Sequence, residues 1–178
     1  MVFVIIGSSP SLYDDYEKLK SLIDEQEMIF CVIGLSSTKL WNKYVHYIAS
    51  YHPKDFIEIK KIREERGLNL DYRIISHENH PVIDNKNREK LQTNVIIPYE
   101  KPSGSSALLG TLAGIKEGYK KIVLCGCPLE GVNAKKSSYN VFRKGWLAKK
   151  EEVKNFVRSM SGWTQQILGE PTKEWLDN

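Results

Sequence analysis

Two short runs of small residues in this sequence could bind an anion. GSSPS (7–11) follows an apolar run, and PSGSS (102–106) precedes an alanine- and glycine-rich segment with helical spacing. A helix N-terminus carries unpaired amide N–H groups and a partial positive charge, which favour phosphate or carboxylate. Small side chains would let such a ligand approach the backbone. We therefore expect a ligand site formed by Gly7, Ser8, Ser9, Pro10, Ser11, Ser103, Gly104, Ser105 and Ser106.

Both runs also have a structural interpretation. GSSPS could be a tight turn with Ser11 capping a helix, and PSGSS could be a cap followed by close packing of a helix on a sheet. GSSPS does not match G-x-G-x-x-G, and it lacks the P-loop lysine, which disfavours a nicotinamide or flavin cofactor and P-loop ATP chemistry. Each run alone leaves both interpretations open, whereas two such helix starts facing one crevice favour a ligand.

Candidate catalytic residues stand at the ends of two predicted strands. His52 follows one strand and immediately precedes a helix, and Glu130 lies in CGCPLEG (125–131), just after another strand. An imidazole or a carboxylate in such a place could act as a general base. The four histidines do not have the H-E-x-x-H spacing, and we predict no metal site. The same loop is expected to contribute Gly126 and Pro128 to the ligand site.

Strands and helices alternate along the chain. An apolar strand over 2–6, a helix from Ser11 and a second apolar strand over 28–33 form a predicted βαβ unit. Further strands are expected over 44–50, 71–76, 94–98 and 121–125, with helices near 53–67 and 105–118. This pattern predicts an α/β Rossmann-like fold: one domain over 1–178, with an open, mostly parallel sheet and helices on both faces. Ligands of such sheets bind beyond the carboxyl ends of the strands, where strand order reverses.

The remaining segments have weaker patterns. We expect 77–94 to loop over the surface and 129–147 to be irregular. Apolar residues at helical spacing predict an amphipathic C-terminal helix over 149–168, packed on the sheet through Val153, Phe156, Val157, Met160, Trp163 and Ile167.

Composition excludes several classes of protein. The net charge is +4, from 26 Lys and Arg against 22 Asp and Glu, which suits a small anionic ligand but argues against a nucleic-acid partner. The sequence contains no apolar stretch of the ~20 residues that span a bilayer, and its first strand is too short for a signal peptide, so we expect a cytoplasmic protein. Cys31, Cys125 and Cys127 lack C-x-x-C spacing and are expected to be buried as small hydrophobes. A leftover apolar edge could support a homodimer.

Two motifs carry a family resemblance. IIGSSPSL (5–12) and SSALLGTLAGIKEGYKKIVLCG (105–126) resemble bacterial sialyltransferases that act on lipooligosaccharide, and related Rossmann-like motility accessory factors and hydroxymethylpterin diphosphokinase-like proteins. The resemblance implies a nucleotide site, a CMP-type sugar donor and no obligatory metal or other cofactor. It also implies a tyrosine beyond the last strand that holds the phosphate, for which Tyr139 is the candidate. Ser9 replaces the family's second glycine, and no histidine follows His80, where the family has its proposed base.

The leading functional expectation is a nucleotide or nucleotide-sugar binding protein of glycosyltransferase type. Tyr139, Arg143 or Arg158 would help stabilise the phosphate of the leaving nucleotide. His52 or Glu130 would activate the acceptor. One alternative is a magnesium-dependent pyrophosphokinase, which needs carboxylates at strand ends, where the sequence offers Glu130 and Asp84. Another is a non-catalytic nucleotide-binding or interaction protein of phage or prophage origin, because 158–176 resembles small phage proteins.

Overall fold

The computed structural model of the chain describes residues 1–52, 54–78, 83–84, 89–90, 93–98, 105–130 and 137–178. Its strands are β1 (Val2–Ile6), β2 (Met28–Ile33), β3 (Tyr47–Ala49), β4 (Arg73–His77), β5 (Ile83–Asp84), β6 (Glu89–Lys90), β7 (Val95–Ile97), β8 (Ile122–Cys125) and β9 (Val157–Ser159). Its helices are α1 (Leu12–Lys20), α2 (Gly34–Leu40), α3 (Asp55–Glu65), α4 (Ser106–Lys116), α5 (Ser137–Val153), α6 (Gly162–Leu168) and α7 (Lys173–Asp177).

Seven strands form one parallel sheet in the order β7-β4-β3-β2-β1-β8-β9. From β1 the chain passes through α1 to β2 on one side, and it returns through α4 to β8 on the other side of β1. The order of strands therefore reverses at β1. β5 and β6 pair with each other, antiparallel, outside this sheet. The predicted open Rossmann-like α/β fold is confirmed.

Both faces of the sheet are covered by helices. On β1, Val2, Val4 and Ile6 pack with residues of α1 and α3, whereas Phe3 and Ile5 pack with residues of α4 and α5. All five β1 residues are buried, which explains why this strand is apolar throughout rather than alternating. On the α4 side, Gly110 and Gly114 allow close packing, since Cβ atoms there would lie 3.0 Å from Ile5 Cδ1 and 2.9 Å from Phe3 Cδ1.

The predicted C-terminal helix over 149–168 is wrong. α5 ends at Val153, β9 pairs in parallel with β8, and α6 begins at Gly162. Apolar residues every three or four positions satisfied the helical pattern. However, the edge of β8 offers its backbone groups to an added strand, and Gly162, at a φ of +69°, interrupts a helix. Pairing with β8 therefore makes Val157–Ser159 a strand rather than part of a helix.

The irregular segment predicted over 129–147 is also wrong for its second half, where α5 begins at Ser137. Tyr139, Phe142, Trp146 and Val153 have heptad-like spacing, and Trp146 is fully buried in the core. Gly145 and the many polar residues obscured this pattern, because glycine is a poor helix former. The loop predicted over 77–94 lies largely outside the described residues.

Candidate functional site

A cavity of about 220 Å³ opens at the carboxyl edge of the sheet, where strand order reverses. Because all seven strands are parallel, the loops that follow β1, β2, β3 and β8 meet at this edge. The cavity is lined by Gly7, Ser8, Ser9, Ile33, His52, Ser105, Ser106, Ala107, Gly126, Cys127, Pro128, Leu129, Tyr139 and Phe142.

Many of the residues singled out in the sequence therefore meet in one place. Ser8 from the first small-residue run and Ser105 from the second border the same cavity, although 97 positions separate them. Ser103 and Gly104 lie outside the described residues. The predicted residues that line the cavity are Gly7, Ser8, Ser9, His52, Ser105, Ser106, Gly126, Pro128 and Tyr139.

The amide groups of the first loop are not aimed at a ligand as we expected. The Gly7 N–H donates to the Cys125 carbonyl over 2.8 Å, and the Ser9 N–H donates to the Gly126 carbonyl over 3.1 Å. These two donors join the loop after β1 to the loop after β8. The loop after β1 thus offers the cavity hydroxyl groups, on exposed Ser8 and half-buried Ser9, rather than a nest formed by these two amides.

At position 7 a side chain is excluded by the atoms around it, not by the backbone conformation. A Cβ atom at Gly7 would lie 2.1 Å from the Gly126 carbonyl oxygen and 2.6 Å from Cys127 Sγ. Gly126 faces it with a φ of +68°, where L side chains are strained. The two glycines thus bring the loops after β1 and β8 into direct contact at the floor of the cavity.

The first turn of α4 forms another wall. Ser105 is the N-cap: its backbone is extended, and its Oγ accepts a hydrogen bond from the Leu108 N–H at 3.4 Å. Ser106 Oγ accepts from the Tyr51 N–H at 3.4 Å, which fixes the helix start to the loop after β3. Since Ser105, Ser106 and Ala107 all line the cavity, the positive end of this helix borders it. Ser105 thus both caps α4 and lines the cavity, so the structural and the ligand interpretation of this residue are compatible.

His52 lies at the far side of the cavity from β8. Its N–H donates to Ser50 Oγ over 3.0 Å and its carbonyl accepts from the Asp55 N–H over 2.9 Å, so the backbone on both sides of the ring is held. The residue is exposed and lines the cavity. β3 and β8 are three strand spacings apart, about 14 Å. His52 and α5 therefore stand at opposite ends of the site.

Arg143 and Glu130 do not line the cavity. The guanidinium of Arg143 donates from Nε and Nη2 to the Leu129 carbonyl, at 3.0 and 2.5 Å, and lies over the Trp163 ring at 5.1 Å. Leu129 has a φ of +50°, a strained conformation for a branched side chain, and Arg143 holds it in place. Glu130 is exposed and lies over Gly162 instead. Both residues were predicted for the site; the described residues that line the cavity do not include them, and their roles stay predictions.

Ser11 and Pro10 likewise do not line the cavity. The Ser11 hydroxyl donates to Asp15 Oδ2 at 3.2 Å, and no bond from it to the helix backbone caps α1. Asp15 is almost fully buried, and the same oxygen accepts from the Gly126 N–H at 2.8 Å and from Ser161 Oγ at 2.7 Å. This carboxylate ties together the loops after β1, β8 and β9. Pro10 is exposed at the start of the turn.

Sequence reasoning missed Asp15 and Phe142. Asp15 stands on the buried stripe of α1 with Leu12, Tyr16 and Leu19, so helical spacing could have marked it as an inward-facing carboxylate. Phe142 falls one helical turn after Tyr139, and its ring centroid lies 6.1 Å from that of Tyr139 at an interplanar angle of 37°.

The cysteines behave as buried hydrophobes, as expected. All three are free and buried. Burial raises the pKa of the Cys127 thiol, and the Asp15 carboxylate raises it further. Cys127 therefore contributes a protonated thiol to the cavity wall near neutral pH, and its Sγ–H donates to the Cys125 carbonyl at 3.6 Å.

The fold and the cavity define an α/β protein with a candidate small-molecule site at the point where strand order reverses. Comparison of the chain with models of protein families, with curated proteins and with solved structures found no match. The resemblance to sialyltransferases thus stays a prediction. Within the described ranges, no helix is long and apolar enough to cross a membrane. In that same part of the chain, no three His, Cys, Asp or Glu side chains cluster as metal ligands would.

Proposed function

We propose that the cavity binds a nucleotide or a nucleotide sugar, and that the protein is a glycosyltransferase-like enzyme using a CMP-type donor without a metal. The observation behind this proposal is the convergence of Ser8, Ser9, Ser105 and Ser106 on one cavity bordered by the N-terminus of α4. Hydroxyl donors and a helix N-terminus together suit a phosphate group.

In the proposed reaction, His52 accepts the proton of an acceptor hydroxyl as the acceptor oxygen bonds to the anomeric carbon of the sugar. The bond from that carbon to the phosphate oxygen breaks, and the nucleoside monophosphate leaves. Hydroxyl groups and the positive end of α4 stabilise the charge that develops on the leaving phosphate. His52 is preferred over Glu130 as the base, because His52 lines the cavity and Glu130 does not.

A binding protein without transferase activity is the second candidate. The cavity of about 220 Å³ is smaller than the ~300–1,000 Å³ of most small-molecule sites. This volume favours a mononucleotide over a complete nucleotide sugar. The two candidates share the nucleotide site and differ in whether sugar is transferred.

Thermal unfolding with a panel of ligands tests the shared site. CMP, UMP, AMP, GMP, a CMP-sugar and ATP are each added with and without Mg²⁺. A nucleotide at 100 times its Kd adds about 2.7 kcal/mol to the free energy of unfolding, which raises the Tm of a chain of this size by roughly 5–10 °C. No shift with any nucleotide would refute the proposal, and a shift only with ATP and Mg²⁺ would favour phosphoryl transfer.

Two variants sharpen this test. Ser8→Ala removes an exposed hydroxyl at the cavity and should weaken a bound phosphate about tenfold, the effect of losing a ~1.5 kcal/mol hydrogen bond to a charged group. Ser36→Ala, on the exposed side of α2, is the matched control and should change nothing. His52→Ala should abolish release of CMP from the CMP-sugar while CMP still binds. CMP release at the wild-type rate by His52→Ala would contradict the role given to His52.

A further inference from the structure

The cavity has chemically different ends. The loop after β8 and α5 form one end, since Arg143 joins the two through the Leu129 carbonyl. Leu129, Tyr139 and Phe142 line the cavity there. Ser8 and Ser9 line it after β1, and the first turn of α4 and His52 line it towards β3, where Ser106 Oγ accepts from the Tyr51 N–H. A ligand that spans the cavity thus contacts aromatic rings at the α5 end and polar groups towards the β3 end.

The rings of Tyr139 and Phe142 line the cavity and are only partly buried. Both residues are half-buried, and their rings are tilted by 37° with centroids 6.1 Å apart. Both pack at the margin of the larger hydrophobic cluster. Trp146, one turn further along α5, is fully buried in that cluster.

We infer that Tyr139 and Phe142 stack against the base of the nucleotide, which places the phosphate among the serine hydroxyls near α4. This inference rests on the proposed function. It gives Tyr139 a different role from the one that the family resemblance implies, in which a tyrosine hydroxyl holds the phosphate. Base–aromatic stacking contributes about 1–3 kcal/mol per base and needs the ring rather than the hydroxyl.

Three variants separate the ring from the hydroxyl. Tyr139→Phe removes the hydroxyl and keeps the ring, and should bind CMP within about twofold of wild type. Tyr139→Leu and Phe142→Leu each remove a ring and should weaken CMP binding roughly 5- to 150-fold, the equivalent of the stacking free energy. The control is Phe156→Leu, a half-buried phenylalanine packed against the same cluster but not on the cavity, which should bind CMP normally.

Calorimetric titration with two probes completes the experiment. Ribose 5-phosphate has the phosphate and sugar of CMP but no base, so Tyr139→Leu and wild type should bind it equally. This comparison also detects a variant that has simply misfolded, because a misfolded variant loses both ligands. If Tyr139→Phe weakens CMP and ribose 5-phosphate alike, the tyrosine hydroxyl holds the phosphate and the stacking inference is wrong, while the nucleotide site stands. If wild type binds neither CMP, AMP nor GMP, the proposed function itself fails.

Discussion

Substituting Gly7 by alanine tests whether the loops after β1 and β8 are in direct contact at the floor of the cavity. The new Cβ atom would lie 2.1 Å from the Gly126 carbonyl oxygen. Non-bonded carbon contacts are optimal at roughly 3.5–4.0 Å, so the two backbones would have to separate by at least about 1 Å. Of the three atoms nearest to this Cβ, two belong to the Gly126 backbone and cannot move aside at low cost, and only Cys127 Sγ belongs to a side chain.

The expected loss of stability follows from two contributions. Overpacking a tight interior site costs about 1–3 kcal/mol. Separation of the loops also weakens the bonds from the Gly7 N–H to Cys125 and from the Ser9 N–H to Gly126, each of which contributes about 1 kcal/mol. The sum is about 3–5 kcal/mol, a large part of the ~5–15 kcal/mol that stabilises a typical domain.

Gly67→Ala is the matched control. Gly67 has a φ of +64°, but a Cβ atom there would meet no atom within 4 Å. Its cost is therefore only that of a left-handed backbone, about 1–2 kcal/mol. Urea unfolding followed by circular dichroism measures both variants, as a shift of midpoint at constant slope. Equal losses for Gly7→Ala and Gly67→Ala would refute the contact between the loops.

Three further predictions concern residues around the cavity and the sheet. Asp15→Asn keeps an acceptor oxygen but removes the charge that strengthens its three hydrogen bonds. Urea unfolding should therefore show a loss of about 2 kcal/mol in the free energy of unfolding. An unchanged midpoint would contradict the role of Asp15 in joining the loops. Burial lowers the pKa of His46, whose Nδ1 accepts a hydrogen bond from the Phe30 N–H. The unfolded chain therefore binds the proton first, and the free energy of unfolding should fall as the pH drops below about 6.5. His46→Asn should flatten this pH dependence between pH 7 and 5. Burial also raises the pKa of Cys127, so a thiol reagent at pH 8 should label it only after unfolding, and rapid labelling of the folded protein would show that the loop opens.

The sheet could be predicted because its strands carry their own pattern. Val2–Ile6 is apolar at every position, which is typical of a strand covered on both faces, and the glycine and serine residues after it end the strand. β9 carries no such pattern. Val157–Ser159 is three residues long and lies within a stretch of helical spacing, and the neighbouring edge of β8 determines its conformation. No local property of the sequence reports that edge.

The residues of the site could be predicted better than their roles. Parallel topology brings the ends of β1, β3 and β8 to one edge, so the sequence positions of Ser8, His52 and Gly126 were enough to place them together. The partners of individual atoms were not accessible in this way. That the Gly7 and Ser9 amides bond to the loop after β8 depends on the close approach of residues nearly 120 positions away.

The small residues of GSSPS therefore serve two different surfaces of one turn. Gly7 and Ser11 face inward, where one must leave space for Gly126 and the other bonds to the buried Asp15. Ser8 and Ser9 face the cavity. Because the inward contacts fix the backbone of this loop, the backbone would lose little conformational entropy if the proposed nucleotide bound there. Affinity for the proposed nucleotide should then depend on Ser8, Ser9 and the start of α4. Substitutions of Gly7, Ser11 or Asp15 should lower the stability of the protein first, and should change the affinity only through that loss.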